Sequence, residues 1–271
     1  MNKAAIGVYD SGFGGLSVWR ELRRALRNES LIYLGDGKNC PYGGRSREQI
    51  TQFAMEAVER LVSEGVKMVV VGCNTATTAA IDHLRATWPD LPIVGLEPAV
   101  KPACLTTQSR RIAVLATEHS LQSDMFLHTA ERYASDVEVV KVPGRGFVEI
   151  VEQDLEDTPE ARAAVRQVVE PLRGTGVDRV VLGCTHYPFL RDAIAEVLEG
   201  EGVEIIDSGE AVARRVESLL ERYDIKAPSD HNPEFKFITF ADEEYRQRLM
   251  RKAKHIEENL VKSMVCFARV L

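Results

Sequence analysis

The stretches Val69-Val70-Val71-Gly72-Cys73-Asn74-Thr75 and Val180-Val181-Leu182-Gly183-Cys184-Thr185-His186 repeat one pattern at an offset of 111 residues. Each is a short aliphatic run that ends in Gly-Cys and passes into hydrogen-bonding side chains. Another strand-like run follows each copy, Pro92-Ile93-Val94 and Glu204-Ile205-Ile206. Apolar runs of this length read as buried strands, and the longer segments between them carry helical spacing. Buried strands alternating with helices predict a mostly parallel sheet covered on both faces, so the fold class is α/β. Because the pattern occurs twice, the chain reads as two similar α/β halves of duplicated origin.

Outward from the first copy, Ala5-Ile6-Gly7-Val8-Tyr9 predicts the opening strand, and Ser17 to Asn28 a helix with Trp19, Leu22 and Leu26 on one face. Leu31-Ile32-Tyr33-Leu34 predicts a second strand. A Gly/Pro loop follows, then a helix from Arg47 to Glu64, opened by the capping box Ser46-x-x-Gln49 and stopped at Gly65. A further helix is expected over Thr77 to Thr87. In the second half, Ile112 to Leu115 corresponds to the opening strand and Val137 to Val142 to the second strand. The helix beginning at Thr158-Pro159 corresponds to the Ser46 helix. The mixed-charge segment Glu243 to Lys262 predicts one solvated helix.

The 271 residues are 45% apolar and 28% charged, which excludes disorder, low-complexity sequence and a disulfide scaffold. A net charge of −7 argues against a protein built to hold nucleic acid or an anionic membrane. Five cysteines, an odd number, fit a reducing compartment. Ala4 to Val8 is too short for a signal-peptide core, and Met68 to Val71 falls far below the ~20 residues of a membrane span. The expectation is a cytoplasmic protein with neither membrane nor nucleic-acid partners.

Both Gly-Cys pairs sit where a strand ends and a helix is expected to begin, the edge of an α/β sheet at which ligands collect. A helix N-terminus lowers a thiol pKa and attracts carboxylates, so both thiols are expected to be partly ionised. One cysteine there would read as a small buried hydrophobe. Two at equivalent positions, each followed by polar side chains, read as a functional pair. Cys40, Cys104 and Cys266 lack that setting and read as structural or incidental. No C-x-x-C occurs, and Cys184 to Arg191 is one residue too long for the C-x5-R phosphate loop. A Cys-His hydrolase would leave the second cysteine unexplained.

Asp10-Ser11-Gly12 follows the opening strand at the same edge, where it fits either a plain strand–helix turn or part of a site. With Phe13-Gly14-Gly15 it does not make G-x-G-x-x-G, and no P-loop is present, so nucleotide sites are disfavoured. Pro41-Tyr42-Gly43-Gly44 reaches that edge after the second strand, and Thr117 sits in the second half where Ser11 sits in the first. His186 lacks clustered His or carboxylate partners in the sequence, so no metal site is expected. Two thiols facing one cleft suit a reaction that needs a base and an acid on opposite faces of a carbon, as in racemisation alpha to a carboxylate. Ser11, Asn74, Thr75 and Thr185, with backbone N–H groups, could hold carboxylates without many cations.

The set Asp10-Ser11-Gly12, Pro41-Tyr42-Gly43, Cys73-Asn74-Thr75-Ala76 and Cys184-Thr185-His186-Tyr187-Pro188 resembles the glutamate racemases, cofactor-independent members of the aspartate/glutamate racemase superfamily. The match runs in order over about residues 4–245. The resemblance implies two flavodoxin-like domains with the active site in the cleft between them, residues 1–97 plus 208–271 and residues 98–207. It implies interconversion of L- and D-glutamate without a cofactor or metal, supply of D-glutamate for peptidoglycan, and a homodimer. By the same resemblance Cys73 and Cys184 are the acid/base pair, acting on D- and L-glutamate respectively. Asp10 assists Cys73, and His186 with Glu152 assists Cys184. Asp10, Ser11, Tyr42, Gly43, Asn74, Thr75, Thr117, Thr185 and His186 contact substrate. The family's usual Gly-Thr-x-x-Thr reads Ala116-Thr117-Glu118-His119-Ser120 here, and the segment before Glu152 lacks the common Cys-Pro. Beyond Arg246 the match is weak. A sister racemase acting on aspartate, a single-cysteine decarboxylase relative and an amino-acid-binding module are the competing readings. Retention of both cysteines disfavours the last two.

Overall fold

The computed structural model describes the backbone of residues 1–268 and the side chains of residues 1–260. Among these residues nine strands form two separate parallel sheets. The first runs in the order β4 (Ile93–Gly95), β3 (Met68–Val71), β1 (Ile6–Asp10), β2 (Leu31–Gly35), β9 (Phe235–Thr239). The second runs β6 (Glu138–Pro143), β5 (Arg111–Ala116), β7 (Arg179–Leu182), β8 (Glu204–Ile206). Every residue of β1, β2 and β3 is buried, as a sheet covered on both faces requires.

The register puts the two Gly-Cys repeats in equivalent places. Tyr9 lies opposite Val71 across β1 and β3, and Leu115 lies opposite Leu182 across β5 and β7. One residue further on, the Gly72 N–H donates to the Tyr9 carbonyl at 2.6 Å and the Gly183 N–H to the Leu115 carbonyl at 2.7 Å. A Cβ on Gly72 would lie 3.2 Å from the Tyr9 oxygen, and one on Gly183 2.9 Å from the Ala116 Cβ. Glycine therefore allows each strand end to press against its neighbour. The following cysteine is delivered to the carboxyl edge, beside Asp10-Ser11 in one half and Ala116-Thr117 in the other.

The helices, in chain order, are α1 (Leu16–Ala25), α2 (Arg47–Ser63), α3 (Asn74–Thr87), α4 (Val100–Thr106), α5 (Glu118–Gln122), α6 (Asp124–Tyr133), α7 (Phe147–Glu152), α8 (Pro159–Val169), α9 (Arg191–Val197), α10 (Gly209–Arg222) and α11 (Glu243–Ala268). The capping box forms as the sequence predicts: the Gln49 N–H donates to Ser46 Oγ at 3.3 Å, and the Ser46 N–H to Gln49 Oε1 at 3.1 Å. After the second sheet the chain returns to the first. Val212, Val216 and Leu220 of α10 share a core with Trp19 and Leu22 of α1, and β9 pairs with β2.

Two expectations are corrected. The segment from Glu243 is a single helix but is not solvated all round, because Tyr245, Leu249, Ala253, Ile256 and Leu260 are buried against the first-sheet core. Their spacing of three and four residues is an apolar stripe that the surrounding charges masked. Cys184 leads into a 3₁₀ turn, Tyr187–Leu190, before α9 begins, so unlike Cys73 it does not cap an α-helix. Pro188 at the start of that turn has no N–H for a helical ladder. The Cys266 side chain lies outside the described residues.

Candidate active site

Cys73 lies two residues past β3 and is itself the N-cap of α3, so the helix starts three residues before the point its apolar spacing predicts. Its sulfur accepts the Ala76 N–H at 3.4 Å and donates to Ser11 Oγ at 3.4 Å. Behind it Asp10 is fully buried. Asp10 Oδ1 accepts the Gly12 N–H at 2.8 Å, and Oδ2 accepts the Thr185 hydroxyl at 3.0 Å. Burial raises the Asp10 carboxyl above its ordinary range, while His186 and these donors restrain the rise. Burial, with the Asp10 charge added to it, pushes the Cys73 thiol up to about 12 against the pull of Ser11 and the Ala76 N–H. The expectation of a partly ionised thiol therefore fails at Cys73, because desolvation exceeds the effect of the helix terminus.

On the other side, Cys184 lies two residues past β7 with its sulfur 3.7 Å from His186 Nδ1. His186 Nε2 lies 2.6 Å from Glu152 Oε1, which also accepts the Phe13 N–H at 2.6 Å. Glu152 Oε2 accepts the Tyr245 hydroxyl at 2.9 Å. Burial works against a charged imidazole, but the bonds from His186 to Cys184, Cys40 and Glu152 outweigh it and hold the ring well above its usual pKa. Burial likewise works against the Glu152 carboxylate, yet His186, the Phe13 N–H and Tyr245 bring it below the usual range.

A cleft of about 300 Å³ opens between these two walls. Ser11, Tyr42, Gly43, Cys73, Asn74, Thr75, Thr117, Cys184, Thr185 and His186 all line it. Asp10 and Glu152 do not; they stand one layer behind, touching Thr185 and His186. The Tyr42 hydroxyl is engaged with Asp36 Oδ2 and the Tyr9 hydroxyl, each at 2.7 Å. Asn74 Nδ2 is buried with no protein partner, a donor available to an acceptor in the cleft. The Thr75 and Thr117 hydroxyls approach to 3.4 Å and connect the two halves.

Several lining groups went unread in the sequence. Arg145, ion-paired to Glu118 at 2.6 Å, lies on the cleft with Gly144, Val148 and Glu149. Their signal was the Pro143-Gly144-Arg145-Gly146 turn at the carboxyl end of β6. Tyr245 comes from α11, 93 residues from the carboxylate it binds. The fold also gives His186 the partners it lacks in the sequence, since Cys40, Glu152 and His186 have donor atoms within 4.8 Å of one another.

Chemically, the site presents two thiols on one cleft. One is held protonated by burial, and the other stands beside an imidazole that carries its own carboxylate. Sequence and structure comparisons place the chain among known proteins. The profile of the family described as Asp/Glu/hydantoin racemase matches residues 6–216. The chain is 45% identical over 226 residues to a glutamate racemase of Ectopseudomonas mendocina, covering 83% of this chain and 86% of that one. It superposes on a glutamate racemase isoform of Bacillus anthracis with a TM-score of 0.82 at 34% identity, covering 93% and 94% of the two chains. Escherichia coli glutamate racemase, in complex with L-glutamate and an activator, gives a TM-score of 0.84 at 31% identity, covering 94% and 95%.

Proposed function

The chain is an enzyme that belongs to the Asp/Glu/hydantoin racemase family, and we propose that it interconverts L- and D-glutamate without a cofactor, using Cys73 and Cys184 as the proton-transfer pair. The observation that carries this reading is the pair of thiols at equivalent strand ends on one cleft. Glutamate is the substrate named for the relatives above. The unpartnered Asn74 amide and the Ser11, Thr75 and Thr185 hydroxyls suit its carboxylates.

In either direction the Cα–H bond breaks, its proton passes to one thiolate, and the electron pair stays on carbon, spread into the adjacent carboxylate. The opposite thiol then donates its S–H proton to the other face, leaving thiol and thiolate exchanged. Hydrogen-bond donors fixed around the carboxylate stabilise the developing charge without reorganising. Cys73 holds its proton at rest, and the His186 cation supplies the counter-charge for a thiolate on Cys184. In the L-to-D direction Cys184 takes the proton from L-glutamate and Cys73 completes D-glutamate. Asp10 acts on Cys73 through its charge, and Glu152 positions His186.

We place the division of the chain at residues 1–97 plus 208–271 and residues 98–207. Support comes from the return of α10 and β9 to the first sheet, and from Ser208 Oγ donating to the Glu97 carbonyl at 2.5 Å where the two crossings meet. From the family resemblance we further propose that the product supplies peptidoglycan synthesis in the cytoplasm and that the enzyme is a homodimer. No described helix is long and apolar enough to cross a membrane.

Turnover in deuterium oxide tests the reading. Thiol protons exchange quickly with water, so deuterium should enter the product from the first turnovers while recovered substrate stays unlabelled. Early label in both pools indicates one base serving both faces and refutes the two-thiol reading. Turnover of aspartate rather than glutamate refutes the substrate.

A further inference from the structure

We infer that Cys40, Glu152 and His186 form a binding site for a soft divalent cation of the zinc type, and that its occupation switches the enzyme off. One donor atom from each residue lies within 4.8 Å of the others. The set combines thiol, carboxylate and imidazole, the three ligand types that zinc takes at about 2.0–2.3 Å. Ligands on a common tetrahedral ion at such bond lengths stand about 3.4 Å apart, so His186 Nε2 and Glu152 Oε1, now in contact at 2.6 Å, must part to admit the ion while Cys40 Sγ stays within 4.8 Å of both. The donors already converge on one point of the backbone. A Cβ on Gly12 would fall 2.1 Å from Glu152 Oε1 and 3.0 Å from Cys40 Sγ, and the absence of a side chain there is what lets both atoms occupy that space.

The outer contacts are those a metal site uses to aim its ligands. Glu152 is fixed by the Tyr245 hydroxyl at 2.9 Å and the Phe13 N–H at 2.6 Å. His186 has its second ring nitrogen turned to Cys184. Cys40 and Glu152 are not fully buried, which leaves a way in, while His186 is buried. Binding requires the Cys40 S–H bond to break, its proton going to solvent as the sulfur–metal bond forms. The imidazole must give a ring nitrogen to the ion as a neutral ligand. Three protein ligands leave a fourth position for water. No proton passes through Cys40 in the proposed reaction, but the ion takes Nε2, whose proton goes to solvent; the ring facing Cys184 is then a neutral metal ligand parted from Glu152, and turnover stops. That inhibitory half rests on the function proposed above; the binding half does not.

The test titrates Zn²⁺ into the chelator-treated full chain by calorimetry and follows Co²⁺ by its thiolate charge-transfer absorption. The expected result is one ion per chain, loss of racemisation on adding zinc, and recovery on adding chelator. Mg²⁺, a hard cation preferring oxygen ligands, should have no effect. Cys40→Ala should lose the cobalt–thiolate band, and the turnover it retains should no longer respond to zinc. Its zinc affinity should fall at least about tenfold, since loss of even an outer-shell partner costs about 10–100-fold. A Cys73→Ala/Cys184→Ala double variant should bind zinc as the parent does. Unchanged affinity in Cys40→Ala, lost binding in the double variant, or no stoichiometric binding each overturns the site. Binding through Cys40 that leaves turnover intact overturns the switch. A chain that binds zinc in this way but does not racemise glutamate fails the function proposed above and leaves the metal site standing.

Discussion

The Thr185 hydroxyl donates to the Asp10 carboxylate at 3.0 Å, joining two residues 175 positions apart, the last of β1 in one sheet and the third beyond β7 in the other. Asp10 has two side-chain oxygens to satisfy with no exposure to water, and the second half of the chain provides one of its two donors. The wall that carries Cys73 is thus electrostatically completed by the residue next to Cys184.

Thr185→Val should therefore act on both halves at once. It leaves Asp10 Oδ2 buried without its donor, a loss of about 1–3 kcal/mol of folding stability. The Asp10 pKa, already raised by burial, should rise further. Urea unfolding read by fluorescence measures the first effect, and the carboxyl carbon shift of Asp10 against pH the second. Unchanged stability together with an unchanged Asp10 titration means the bond contributes nothing.

Removing one thiol should separate the two half-reactions. Cys73→Ala and Cys184→Ala should each lose racemisation by roughly 10²–10⁴-fold, the worth of a positioned acid or base. Each should still exchange the α-proton of one enantiomer with deuterium oxide: L-glutamate with Cys73→Ala, D-glutamate with Cys184→Ala. Proton NMR of the α-position follows the washout. Exchange of the same enantiomer by both variants contradicts the assignment of faces.

Tyr245→Phe removes the hydroxyl from Glu152 Oε2 and loosens the carboxylate that holds His186. One bond to a charged group is worth about 1.5–3 kcal/mol, so a fall of roughly tenfold in kcat/KM is expected when part of that is transmitted to the reaction. Enantiomers in water have an equilibrium constant of unity, so kcat/KM must fall equally in the two directions. The distinguishing measurement uses single-thiol backgrounds. Tyr245→Phe should slow L-glutamate exchange in Cys73→Ala and leave D-glutamate exchange in Cys184→Ala unchanged. Equal slowing in both backgrounds points to a general structural defect.

The Cys73 thiol, pushed up to about 12, predicts a pH dependence with a definite sign. The thiolate is the nucleophile toward iodoacetamide. Its fraction in the free enzyme should grow about tenfold per pH unit throughout the range below that value, whereas an ordinary cysteine levels off near 8.5. Peptide mass spectrometry of the alkylation rate at Cys73 between pH 7 and 10 checks this. A plateau near pH 9 shows that burial does not dominate there.

Much of the framework could be read locally. The Gly-Cys repeats, the Ser46 capping box and the Thr158-Pro159 helix start are short-range patterns, and their physics is complete within a few residues. Ten of the lining residues were accessible because they sit in the segments that follow strand ends, where an α/β sheet opens. What escaped depends on contacts distant in sequence. The partnership of Tyr245 with Glu152 depends on where α11 docks, and the apolar stripe that docks it lies among charged neighbours. Cys40 looked incidental because the loop after β2 had to be folded before its sulfur met His186. Helix position alone suggests an acidic thiol at Cys73, and only the packed structure shows how far desolvation overrides it.

The paired strand ends also bear on symmetry. Two copies of a chain of L-amino acids can be superposed only by proper rotation and translation, whereas the two enantiomers of a substrate are related by reflection. A duplicated fold can place a thiol on each side of a carbon, but no repetition of identical halves can present mirror-image surroundings to the two hands. The residues flanking the thiols must therefore diverge for both enantiomers to be held in one cleft. The unlike followers of the two cysteines, Asn74-Thr75 on one side and Thr185-His186 on the other, are the form that this handedness mismatch takes here.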